Sequence, residues 1–378
     1  MSLFFIIFVA IYGSVHVYAF FRTRSALGLG AGGGVALAAF MVVMTLAPML
    51  IRAIERSGFE LTARVLAYVA YLWMAALFFY FGISLLFDVF DLFTRLVGWI
   101  ASFDVSSWLV RGRISFFLSL GLSLAACVYG YREARDIRTE CLIITTTKLP
   151  AGTDRLTIVQ LSDVHLGLIN RSERLAPMLA AAEAAHPDIL VVTGDLVDAQ
   201  INHLTGLAEM FRTIKPKYGK FAIMGNHEYY AGTEKALEFI RDAGFTMLRN
   251  ESVASGPITL VGADDRTGVQ LKLRKAVPEQ TLFSGLSRDK FTVLLKHQPF
   301  IDQASVGLFD LQLSGHTHKG QLFPFTCLTR LSYPLNAGRY DLGKGSLLYV
   351  NRGAGTWGPP IRFLAPPEVA VIQLVRKQ

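Results

Sequence analysis

Five short polar blocks in this chain each follow a short apolar run. Residues 156–161 lead into Asp163-Val164-His165, and residues 189–193 lead into Gly194-Asp195-Leu196-Val197-Asp198. Residues 221–224 lead into Gly225-Asn226-His227-Glu228, 293–295 into Lys296-His297, and 311–313 into Gly315-His316-Thr317-His318. Carboxylate, amide and imidazole groups together suit divalent Mn, Fe, Zn or Co. Read as extended chain, Asp-x-His and His-x-His each turn two ligands to the same side. Five of the eight histidines fall in these blocks, and the other three are His16, His186 and His203. One such block is often only a turn. Five in order, each at a strand end, point to a binuclear metal site. Cys127, Cys141 and Cys327 form no paired spacing, so neither a disulfide framework nor a cysteine zinc site is indicated.

The elements that must position these residues are short strands alternating with helices. Strands are expected at 156–161, 189–193, 221–224, 258–261, 292–295, 311–313, 347–350 and 369–375. Helices are expected at 172–185, 204–214 and 233–243. Alternation with short links predicts an α/β domain with buried sheets. Ligands in open α/β sheets collect at the carboxyl ends of strands, where residues distant in sequence converge on one rim.

Composition describes a different front half. The chain has 378 residues, of which 52% are hydrophobic and only 17% charged. Disorder, collagen and disulfide-rich scaffolds are excluded, and a purely soluble enzyme is disfavoured. Charge-free windows run over 1–21, 25–51, 65–87 and 114–131. A membrane-spanning helix needs about 20 apolar residues. Four spans are therefore expected at about 2–21, 27–51, 65–87 and 114–131. Residues 88–102, with Asp88, Asp91 and Arg95, are expected as a separate interfacial segment. The first window has no basic residue before it and another span follows, which disfavours a cleaved signal peptide. The organisation is then a transmembrane region at 1–131, a linker at 132–152 and a catalytic domain at 153–378, on a multi-pass protein of the cell membrane. The side of the membrane stays open, because five basic residues on one set of flanks face six on the other.

The net charge of +8 divides between the two parts. Residues 1–131 hold 8 basic and 5 acidic residues, leaving 29 and 24 for the remainder. No Lys/Arg tract or nucleic-acid motif occurs, so no nucleic-acid partner is expected. Mild attraction to anionic lipid fits a domain beside a membrane.

The ordered blocks resemble the signature of the metallophosphoesterase superfamily, the calcineurin-like phosphoesterases. The signature runs Asp-x-His, Gly-Asp-x-x-Asp, Gly-Asn-His-Asp/Glu, His, then Gly-His-x-His, and every block is present within residues 155–318. Residues 353–360 with Pro366-Pro367-Glu368 resemble a bacterial branch of membrane-associated or exported phosphodiesterases. The resemblance implies an αββα sandwich following the four-helix region. It implies two divalent ions: Asp163, His165 and His318 around one, Asn226, His297 and His316 around the other, and Asp195 bridging. It implies His227 as a catalytic histidine beside the metals, with Glu228 orienting it, and Asp198 supporting a ligand. The reaction implied is hydrolysis of a phosphodiester or pyrophosphate bond by a metal-activated hydroxide. The membrane region points to a phosphoester substrate linked to lipid, with membrane lipids as partners.

A rival from another class is a membrane receptor or transporter-like protein carrying an inactive phosphoesterase domain. The complete ligand set and the lack of charged pathway residues in the spans weigh against it. Elsewhere, His16 is expected to hydrogen-bond between helices, and the glycines of 28–34 to serve helix packing or flexibility. Asp264-Asp265-Arg266 fits a cleft lining or a turn. His203 is expected to face solvent near the cleft or to help bind substrate, and Arg339, Tyr340, Trp357 and Arg362 are read as candidates for contact with a phosphate or headgroup.

Overall fold

The computed structural model describes residues 3–198, 204 and 206–377. Two compact units result: Met1–Tyr131 with Gly358–Ile361, and Arg132–Trp357 with Arg362–Gln378.

The first unit holds helices α1 (Leu3–Leu27), α2 (Ala31–Arg56), α3 (Glu60–Ala101) and α4 (Gly112–Glu133). All four are long and apolar enough to cross a membrane. Small and aromatic side chains pack between them, with Tyr12 and Ala19 of α1 meeting Met41 of α2, Leu77 and Tyr80 of α3, and Phe116 of α4. The interfacial segment expected at 88–102 is not separate. It continues α3 into one 42-residue helix, because neither proline nor glycine interrupts residues 88–97. His16 does bond between helices: Trp73 Nε1 donates to its Nε2 at 2.9 Å. Tyr18 and Arg22 of α1 both donate to Asp88 of α3, and Arg22 also reaches Ser115 of α4.

The second unit begins with β1 (Arg138–Thr146) and β2 (Arg155–Leu161), then α5 (Ser172–Ala184), β3 (Ile189–Thr193), α6 (Leu207–Arg212) and β4 (Lys220–Ile223). Next come α7 (Asn226–Ala231), α8 (Thr233–Asp242), β5 (Thr246–Met247), β6 (Glu251–Ser255), β7 (Ile258–Gly262) and α9 (Thr267–Gln270). The remainder is β8 (Phe291–Leu295), β9 (Leu311–Ser314), α10 (Phe325–Ser332), β10 (Gly338–Gly343), β11 (Ser346–Val350) and β12 (Glu368–Arg376). One sheet has the order β1-β12-β2-β3-β4-β5 and the other β10-β11-β9-β8-β7-β6.

The two sheets share a core because successive strand residues face opposite ways. Ile158, Ile189 and Val191 point toward Leu260, Val293 and Leu313 of the other sheet. Their neighbours Val159, Leu190 and Val192 point away, onto α5, α6 and α8. The far face of the second sheet is covered by Phe283 and Phe309 over Val261 and Leu294. These layers match the α/β sandwich expected from the sequence.

The expected linker is not all linker. Residues 138–146 form β1, parallel to β12, with Arg138 opposite Glu368 and Thr146 opposite Arg376. Only Leu142 and Ile144 of β1 are buried, so this edge strand carries a weak apolar pattern.

Candidate metal centre and active site

Strands β2, β3, β4, β8 and β9 end side by side in the two sheets, and the five polar blocks begin within three residues of those ends. Asp163, His165, Asp195, His316 and His318 all have φ between 48° and 73°. Non-glycine residues adopt this left-handed region at a cost and concentrate in functional loops. The Asp-x-His and His-x-His pairs therefore converge through kinked loops, not through the alternation of an extended strand. Two glycines permit the crowding. A Cβ on Gly194 would fall 2.6 Å from His297 Nδ1, and one on Gly225 would collide with the Asp195 carboxylate.

Among the described residues, three groups of side chains come close enough to share a cation: Asp163, His165 and His318; His165, Asp195 and His227; Asp195, His297 and His316. In the last group the proton positions follow from the outer partners. His297 Nδ1 donates to the Thr193 carbonyl at 2.8 Å. Tyr333 donates to Gln298 Oε1 at 3.2 Å, so its oxygen accepts from His316 Nε2 at 2.9 Å. In neutral rings lone pairs then remain on His297 Nε2 and His316 Nδ1, which lie 3.1 Å apart. Asn226 Oδ1 at 3.1 Å and Asp195 Oδ2 at 3.2 Å face the same His297 nitrogen. Neutral rings would leave these acceptors repelling one another in a buried place, so a positive charge is needed among them. Burial would lower His297, yet Asp195 raises it well above the usual imidazole range, a proton standing where a metal ion can replace it. This donor set fits a divalent ion of the Mn, Fe, Zn or Co kind.

The first group is bound less symmetrically. His165 Nε2 lies 3.0 Å from His318 Nε2 and 3.8 Å from Asp195 Oδ2. His318 Nε2 lies 3.6 Å from Asp163 Oδ1. Asp163 also accepts from Ser162 Oγ and from the His316 amide. Burial raises its carboxyl to about 6. Burial and the neighbouring His227 charge lower His165 to about 4.

His227 stands beside this cluster with its ring edge against His165, 4.6 Å between centroids. Its Nδ1 bonds Asp198 Oδ1 at 2.9 Å, and its amide donates to Asp195 Oδ1 at 2.9 Å. Burial would lower this imidazole, but Asp195 and Asp198 raise it to about 9. Burial would also raise Asp195, yet His297 and His227 hold it well below the usual carboxylate range.

Two expectations are corrected by these contacts. Glu228 does not orient His227. Its carboxylate closes the start of α7, accepting from the amides of Gly225, Asp195 and Val197 at 2.7, 2.9 and 3.2 Å. A glutamate three residues into a helix folds back on its cap in this way. Burial raises it to about 7. Asp198 is the carboxylate that orients His227. Arg362, read as a phosphate or headgroup contact, is instead fully buried. Its guanidinium donates to the carbonyls of Arg352, Gly353, Gly355 and His318, and its Nη2 lies 2.8 Å from His318 Nδ1. Burial lowers it to about 9.

Trp357 is exposed and its ring lies 5.9 Å from that of His227. Tyr230 flanks the same imidazole at 5.6 Å. Asp264 is taken up by Arg249 and Arg274, and Asp265 by Gln298 and the Thr267 amide. Tyr340 bonds the backbone at Ala337, Arg339 is exposed, and His203 lies outside the described residues. Tyr333 and Gln298 were not anticipated. Their signal is weak, since neither belongs to a polar block.

Two sheets that deliver Asp, Asn and His to one rim define a phosphoesterase-type metal domain. Comparison with known proteins agrees. The family model for calcineurin-like phosphoesterases matches residues 156–320. An uncharacterized metallophosphoesterase of Aquifex aeolicus is 40% identical over 252 residues, covering 66% of this chain and 96% of that protein. One from Campylobacter jejuni is 33% identical, covering 70% of this chain and 71% of that protein. A transmembrane protein with metallophosphoesterase domain from Danio rerio is 31% identical, covering 68% of this chain and 62% of that protein. The chain belongs to the metallophosphoesterase family, with a helical region of membrane-protein character before the family domain.

Proposed function

We propose that this protein is a multi-pass membrane phosphoesterase that hydrolyses a phosphodiester or pyrophosphate bond of a lipid-linked substrate. The observation that carries the reading is the convergence of potential ligand atoms of His297, His316, Asn226 and Asp195, with His227 alongside. Asp163, His165 and His318 would hold one divalent ion, Asn226, His297 and His316 a second, and Asp195 would face both. When bound, two such ions supply polarisation of a phosphoryl group and a lowered pKa for water.

The chain's own residues do the rest. His297 and His316 are held in the ligating tautomer by Thr193 and Tyr333. Such outer partners fix ring orientation at metal sites. Asp198 takes the His227 Nδ1 proton into a hydrogen bond, which leaves Nε2 as the atom that passes a proton to the leaving oxygen. Glu228 fixes the loop that carries Asp195. The apolar helices keep the site beside a membrane, where a lipid-linked phosphoester is concentrated.

The test is hydrolysis of an activated phosphodiester by purified full-length protein with added Mn²⁺. Activity is expected, and Asp195→Ala should abolish it. His227→Ala should cost about 10²–10⁴-fold, the usual scale of general acid catalysis. Activity that survives both substitutions overturns the reading.

A further inference from the structure

Two segments of the α/β unit leave apolar side chains in solvent next to the site. In the first, Leu271, Leu273 and Val277 are exposed around Lys272 and Lys275. In the second, α10 exposes Phe325, Leu328 and Leu331 beside Arg330, and Leu331 is 79% exposed. A spacing of three keeps those apolar residues on neighbouring turns of one helix side. Neither segment is acidic: residues 266–278 and 311–340 contain no Asp or Glu.

Both segments are fastened to the site. Gly268 of α9 lies so close to α7 that a Cβ there would come within 2.6 Å of Tyr229 Oη, two residues from His227. The Arg266 guanidinium sits 4.1 Å above the Phe300 ring, and Phe300 packs on Tyr333 with centroids 5.1 Å apart. Tyr333 holds His316 and follows directly on α10. The stack Arg266–Phe300–Tyr333 thus links the first segment to the second beside the candidate metals.

We infer that these two segments are a docking surface for an anionic lipid bilayer, and that the site opens at that surface. Aliphatic and aromatic side chains interleaved with Lys and Arg are the chemistry of an interfacial membrane contact. The same chain carries four helices apolar enough to cross a membrane, so a bilayer is at hand. A second copy of the chain fits worse, because a two-fold contact would set these basic residues against themselves. The inference deepens the lipid-linked reading above and rests on it for the substrate.

Cys327 lies on α10 and is exposed, and the other cysteines are Cys127 and Cys141. Full-length protein carrying C127S and C141S is labelled at Cys327 with a polarity-sensitive nitrobenzoxadiazole dye. It is then reconstituted into phosphatidylcholine vesicles with or without phosphatidylglycerol. Expected are a blue-shifted emission and quenching by doxyl-labelled acyl chains when phosphatidylglycerol is present, both reduced by high salt. The triple variant K272E, K275E and R330E should lose the dependence on phosphatidylglycerol. A label at Leu273→Cys, in place of Cys327, should repeat the result from the other segment. Emission unchanged by lipid overturns the inference. So does a blue shift without doxyl quenching, which means that protein covers the surface. The readout needs no hydrolysis: a chain that docks without cleaving a soluble diester loses only the proposed function, and one that cleaves without quenching loses only this surface.

Discussion

The helical unit and the α/β unit both enclose polar side chains, and they do so on different terms. In the hydrogen bonds that join the helices, a donor meets an acceptor. Trp73 donates to His16, and Arg22 and Tyr18 share Asp88. Such contacts join one helix to another. At the strand ends of the α/β unit, acceptors meet acceptors. His297, His316, Asn226 and Asp195 turn lone pairs toward one another while Thr193, Tyr333 and Gln298 hold them there. A buried histidine is therefore not informative by itself. What informs is whether its neighbours already satisfy it.

That contrast can be broken by substitution. Arg362→Met should have the largest effect, since several buried carbonyls lose their donor at about 1–3 kcal/mol each before relaxation. Hydrogen exchange is expected to quicken in 162–165 and 353–365, with a loss of bound Mn measured by elemental analysis. Wild-type protection and metal content in this variant would reduce Arg362 to a bystander. Asp198→Ala should come next, lowering kcat roughly 10- to 100-fold, the scale of losing an orienting partner. Metal content should hold, and a change confined to KM would contradict the orienting role. His16→Phe should do least, costing about 0.6–1.7 kcal/mol as for other hydrogen bonds between membrane helices. Its metal content and hydrolysis should match the parent, and a drop in either would erase the distinction between the two units.

The metal-ligand candidates were legible because each lies just past an apolar strand and contrasts with it. The strands at 156–161 and 189–193 are buried on both faces; residues 189–192 read as an unbroken apolar run, and 156–161 are apolar apart from Thr157 and Gln160. Elements with mixed surfaces were not legible. β1 lies at an edge and buries only two of its side chains, so its sequence resembles a linker. β10 alternates half-buried and exposed residues and holds two glycines. The outer partners were hidden for another reason. Arg362 and Tyr333 act through tertiary contact with residues far off in the chain, and no local pattern marks them. Glu228 was misassigned because a signature gives adjacency to His227, while the helix start decides where the side chain goes.

The position of β12 has a consequence for biosynthesis. This strand inserts between β1 and β2, although it lies more than half the chain away from β1. On a ribosome, the apolar helices and all the candidate ligands emerge before the strand that completes their sheet. Loop closure over such a separation is slow, because its entropy must be met before the contacts form. Until β12 emerges, the sheet that supports the candidate ligands lacks the strand between β1 and β2. An unpaired edge of this kind can pair with another strand until β12 closes it.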